Sequence, residues 1–152
     1  METAVWRGLD APRLEIARVE RAGPELRASG TQIGVAYELR YELEPGVLRV
    51  EVVGEQAREI ALDGADFFDL GFSPLFNSLP VVRDGLLDGG SAQDYVMRWV
   101  DVPSLEVSES AQRYGPVEAR TIRFRTGDFT ALLEFGPDDL LERYEGLAER
   151  LR

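Results

Sequence analysis

A chain of 152 residues with 44% hydrophobic and 30% charged side chains has the size and composition of one globular domain, residues 1–152, and not of a disordered chain. Its net charge of -11 comes from 28 acidic residues against 17 basic ones that are all arginine, which opposes nucleic acid and anionic membrane surfaces as partners. With no His, Cys or Lys there is no Ser-His-Asp triad, thiolate nucleophile, disulfide, Schiff base, Walker-type phosphate loop or ordinary zinc site, so neither cofactor nor metal is expected.

In chain order, residues 4–7 read as a short strand closed by a turn over 8–12. Nothing there resembles a secretory signal, and no stretch approaches the about eighteen apolar residues of a membrane span, so the expected location is the cytoplasm. Leu14 and Ile16 alternate with Glu15, but Ala17 and Val19 continue in the opposite phase, which predicts a β-bulge or a bend. Gly23-Pro24 and Ser29-Gly30 bracket a turn region. Ile33, Val35, Tyr37, Leu39, Tyr41 and Leu43 then alternate as one half-buried strand, and Pro45-Gly46 turns it into a hairpin with Leu48, Val50 and Val52. Ile60 and Leu62 suggest a third strand.

Further on, Asp84-Gly85 and Asp88-Gly89-Gly90 mark turns. Residues 95–102 are apolar on both faces and predict a strand covered on both sides. Residues 112–116 read as a turn, and residues 118–124 and 129–135 as a hairpin. At the end, a helical pattern competes with a turn at 136–139. A strand over 140–144 and a short helix from Leu147 are expected.

Residues 66–83 stand apart, holding four phenylalanines, two prolines and the chain's only asparagine. The stretch has neither strand alternation nor a helical face, so it reads as an apolar loop that is buried or lines something. Within it, Asn77 suits either an Asx-type turn or a hydrogen bond to a ligand. Arg83 suits either an anionic or polyhydroxylated head group or an ion pair with Asp69 or Asp84. Tyr37, Tyr41, Tyr95 and Trp99 are candidates for a cavity wall or for core. Asp66 and Asp69, three apart beside aromatic rings, are the carboxylates an enzyme would use. Asp138 and Asp139 are a weaker metal candidate.

The run from Asp69 to Arg83, DLGFSPLFNSLPVVR, resembles the signature of the bacterial family called putative glycolipid-binding proteins. Trp6, Leu14-Glu15, residues 95–103, Gln112-Arg113-Tyr114 and residues 144–147 extend the resemblance over nearly the whole chain. It implies a spiral-like β-roll, similar in shape to bacterial carriers of lipoproteins and lipids. Val82 and Asp84 depart from the second arginine and the apolar residue that the resemblance implies around Arg83, and Glu145 replaces a rigid residue before Gly146.

The resulting expectation is a mainly β protein, an antiparallel rolled sheet with little helix, that holds the apolar tail of a lipid or glycolipid without catalysis. The ligand residues expected are Phe72, Phe76, Asn77 and Arg83, with Tyr95 and Trp99 as wall. The rivals are an enzyme using Asp66 or Asp69 and an interaction module that docks through the phenylalanine-rich stretch. Monomer and homodimer are both open.

Overall fold

The computed structural model describes residues 1–23 and 25–152. Among them, alternating inward apolar and outward charged side chains build thirteen strands. These are β1 (Glu2–Gly8), β2 (Leu14–Ala22), β3 (Glu25–Ile33), β4 (Glu38–Glu44), β5 (Val47–Val52), β6 (Gln56–Ala61), β7 (Phe67–Leu70), β8 (Gln93–Val100), β9 (Val107–Glu118), β10 (Thr121–Thr126), β11 (Phe129–Phe135), β12 (Leu141–Tyr144) and β13 (Ala148–Leu151). The helix α1 (Pro74–Asp84) lies between β7 and β8 in the chain.

All strands join one open sheet in the order β6-β5-β4-β3-β2-β1-β13-β12-β11-β10-β9-β8-β7. Pairing is antiparallel except between β7 and β8, which run parallel. The expected mainly β, rolled architecture is therefore present. Its two edges, β6 and β7, are successive in the chain, and the segment between them crosses from one edge to the other. Side chains bridge this seam: Arg58 Nη1 donates to the Leu105 carbonyl at 2.7 Å, Gln56 Nε2 to the Ser104 carbonyl at 2.9 Å and Arg98 Nε to the Ala61 carbonyl at 3.2 Å.

The apolar stretch expected to be a loop is instead β7 followed by α1. Pro74 occupies the first turn, where its missing N–H costs nothing, and Gly85 at φ 60° closes the helix through its N–H to the Val81 carbonyl. Every residue from Pro74 to Val81 is buried. A helix covered all round shows no amphipathic stripe, which is why its sequence lacks a helical face. Leu75, Phe76 and Leu79 pack into a core cluster with β1–β6, while Val81 joins a second cluster with β8–β13. Each such fully buried side chain contributes about 1.5–3 kcal/mol. Ser78 Oγ accepts the Leu141 N–H at 3.1 Å and Trp6 Nε1 donates to the Leu141 carbonyl at 2.7 Å, so helix and β1 both tie to the start of β12.

Other expectations change. β2 carries no bulge: its register to β1 and β3 is continuous, and Glu15, Ala17 and Val19 face inward while Ile16 is exposed. The apparent phase slip was a charged residue buried on the inner face. Ser29-Gly30 lies within β3, and the proposed long strand from Ile33 is split by a turn over residues 34–37, leaving Val35 80% exposed. Pro24 lies outside the described residues. Residues 112–116 belong to β9 instead of a turn, and the C-terminal helix is strand β13. On β8, Tyr95 and Met97 are buried but Val96 is exposed, so the strand is not covered throughout on both faces.

Candidate functional site

With α1 filling the roll, the space left at its N-terminal end is a pocket of about 390 Å³. Its floor is polar, formed by Asp69 of β7, Ser73 before α1, Asn77 of α1 and Gln112 of β9, all buried. Its wall is aromatic: Phe72, Trp99, Phe124, Phe129 and Tyr144, with Leu147. Ser108, Glu109, Ser110 and Thr126 complete the lining.

On the floor, Gln112 Nε2 donates to Asp69 Oδ2 at 2.7 Å and to Ser110 Oγ at 3.2 Å. The other end of that amide, Gln112 Oε1, is buried without a partner. Burial pushes the Asp69 carboxyl up to about 6 against the opposing pull of the Gln112 hydrogen bond. Asn77 lies within α1 and not in a turn, and its Nδ2 donates to the Tyr114 hydroxyl at 3.1 Å, joining the helix to β9. Phe72 holds φ 60°, the left-handed region a non-glycine residue rarely adopts; the residue is 40% exposed, with the Arg13 guanidinium 4.5 Å from its ring centroid. Gly71 lies against the Trp99 ring: a Cβ there would sit 3.4 Å from it.

The six ligand residues expected from sequence divide three ways. Phe72, Asn77 and Trp99 meet at this pocket. Arg83 lines a second crevice of about 130 Å³ near the other end of α1, together with Asp66, Phe67 and Leu79. Arg83 Nε bonds Asp84 Oδ1 at 2.8 Å and its guanidinium lies 4.0 Å over the Phe67 ring, while Tyr95, whose hydroxyl donates to Asp84 Oδ2 at 2.6 Å, is buried in the second core cluster and lines neither crevice. Phe76 is core, edge-on to Tyr41. Asp66 accepts the Val96 N–H at 2.8 Å and lines the second crevice, so Asp66 and Asp69 do not converge. Asp138 and Asp139 pair with Arg150 and Arg120, and among the described residues no group of three or more acidic side chains is placed to hold a metal.

Sequence reasoning missed Gln112, Phe124, Phe129 and Tyr144. The available signal was that Gln112 and Tyr114 are two apart, hence on one strand face beside an aromatic. A larger depression, about 670 Å³, lies on the outer face of β2–β6 among Arg18, Arg40, Arg49, Glu42, Glu51 and Glu59. These charges pair across exposed strands, as Arg49 does with Glu59 at 3.0 Å, and the depression offers no floor of buried polar groups comparable to Asp69 and Gln112. No helix among the described residues is long and apolar enough to cross a membrane.

A family model described as "Putative glycolipid-binding" matches residues 51–150. A crystal structure of a DUF1089 family protein from Pseudomonas aeruginosa is similar, with a TM-score of 0.60 and 22% identity over 93% of this chain and 79% of the other. No curated protein matches.

Proposed function

Since this chain belongs to the Putative glycolipid-binding family, we propose that it acts as a single domain, residues 1–152, that binds a lipid or glycolipid non-catalytically at the pocket beside α1. The observation that carries this reading is the aromatic wall over a buried polar floor, with Phe72 exposed and held at a left-handed φ of 60°. Such strain persists only where the surroundings impose it, and it gathers at ligand sites. The volume falls within the about 300–1,000 Å³ typical of small-ligand pockets. Because α1 occupies the roll interior, the apolar part of the ligand packs on Phe72, Trp99 and Phe129 instead of threading the whole roll.

Two experiments test this together. Native mass spectrometry of freshly purified protein, with organic extraction, is expected to give a discrete added mass that extracts as a lipid. Titration with an octyl glycoside below its micelle concentration is expected to change tryptophan fluorescence saturably, and the response is lost in Trp99→Phe, since Trp6 is buried and bonded to Leu141. An unliganded mass together with a flat titration would sink the reading.

The enzyme reading keeps one point in its favour, the burial that pushes the Asp69 carboxyl up to about 6. Its intended partner Asp66 is elsewhere. The interaction-module reading loses its surface, because of the four phenylalanines in residues 66–83 only Phe72 is exposed.

A further inference from the structure

Taking that pocket as the binding site, we infer that it receives a cationic ammonium group, seated between the Asp69 carboxylate and the aromatic wall. Asp69 is a buried charge that the protein itself leaves uncompensated. It is 7% exposed and lines the pocket. Among the described residues its hydrogen-bond partner is the neutral amide of Gln112, at 2.7 Å, and no arginine pairs with it or lines the pocket. Glu15, also buried, shows the contrast: it meets the Ser73 hydroxyl, the Leu75 N–H and the Gln32 amide. A buried carboxylate without such donors is costly until a cation joins it.

The wall supplies the other half of such a site. The Phe124 ring centroid lies 6.3 Å from that of Phe129 and 6.1 Å from that of Tyr144, so three rings stand together, and Trp99 and Phe72 complete the aromatic lining. Ring faces carry partial negative charge and attract an organic cation, most strongly where water is excluded. Arg13 stacks on Phe72, but it pairs with Asp10 and does not line the pocket. A metal ion needs several oxygen ligands, and among the described residues no group of three or more acidic side chains is placed to hold one. An ammonium group needs only the one carboxylate and the rings. The other titratable groups around Asp69 are the Tyr114 and Tyr144 hydroxyls, which burial keeps neutral, and Glu109, exposed on β9. Burial pushes the Asp69 carboxyl up to about 6, so the site is charged at pH 8 and loses its charge on acidification.

The test uses octyltrimethylammonium, octyl glucoside and octyl sulfate, which share one tail, titrated by calorimetry into the whole protein below their micelle concentrations at pH 8. The ammonium is expected to bind about tenfold or more tighter than either of the others. Tetramethylammonium, the head without the tail, separates two sources: its saturable binding points to a free ammonium compound, and binding of the octyl form alone to an ammonium-headed lipid. A chain of net charge -11 attracts any cation, and Asp69→Asn removes only one of those charges. It is nonetheless expected to weaken the ammonium about tenfold, to leave the glucoside within about twofold, and to abolish the loss of ammonium affinity between pH 8 and pH 5. Phe129→Leu, at a residue 50% exposed, keeps the apolar bulk and is expected to weaken the ammonium about threefold. Glucoside or sulfate binding as tightly as the ammonium overturns the inference and leaves a lipid pocket in place. An ammonium affinity unchanged in Asp69→Asn assigns it to overall charge and overturns the inference as well. Binding of none removes the pocket as the site, and the ammonium reading with it.

Discussion

Glu15 Oε1 accepts the Ser73 hydroxyl at 2.9 Å and faces the Leu75 N–H at 3.4 Å, so a carboxyl group from β2 caps the N-terminus of α1. Ser73 occupies the capping position but makes no side-chain bond to its own helix. The acceptor comes from 58 residues away in the chain. Glu15→Ala should therefore cost about 1–2 kcal/mol at pH 5.5, the usual magnitude for a lost cap, measured by urea unfolding.

The same burial makes stability depend on pH. Desolvation raises Glu15 from 4.5 to about 7 and Asp69 from 3.8 to about 6. Both groups hold protons more tightly folded than unfolded, so their contribution is most favourable below about pH 4 and is lost as pH rises through 6 to 7. A net charge of -11 acts in the same direction, since acidification reduces self-repulsion. The melting temperature is expected to rise between pH 8 and pH 5.5. Glu15→Gln should flatten that slope, and an unchanged slope in this variant would refute the assignment.

Gly30 faces inward on β3 directly under Tyr41, where an added Cβ would lie 2.4 Å from the Tyr41 hydroxyl and 2.9 Å from the Ile16 carbonyl. Overpacking of this kind typically costs about 1–3 kcal/mol, so Gly30→Ala should lower stability by that amount. Pairing it with Tyr41→Leu is expected to recover part of the loss, which a double-mutant cycle would read out.

Arg58 supplies the shortest bond across the seam, 2.7 Å to the Leu105 carbonyl. Arg58→Ala should cost about 1.5–3 kcal/mol and raise hydrogen exchange along β6 and around residues 101–106 before other strands.

Arg49 and Glu59 offer the contrast: their side chains are 45% and 66% exposed. Replacing either by Ala is expected to change stability by less than about 0.5 kcal/mol.

The hairpins β4–β5 and β10–β11 were legible because each strand alternates and a glycine turn separates the pair. Glu15, buried at an inward position, disguised β2. Two prolines and a complete apolar coat disguised α1, and a short amphipathic run of Leu and Glu in β13 mimicked a helix. Of the candidate site, Phe72, Asn77 and Trp99 were reachable as unusual residues in an apolar stretch or strand. Gln112 and Tyr144 were less so: beyond the two-residue spacing of Gln112 and Tyr114, each looks ordinary until distant strands bring it beside Asn77 and Asp69.

The sequence by itself determined the class: local alternation and turn chemistry depend on neighbours a few residues apart, and the missing His, Cys and Lys bound the chemistry whatever the fold. Only the tertiary structure decided that the apolar stretch is a helix plugging the roll, that Arg83 and Asp69 serve different pockets, and that Gln112 is left with an unmet acceptor. Those outcomes depend on burial and on contacts between residues tens of positions apart, and desolvation is a property of the surroundings that no stretch of chain carries alone.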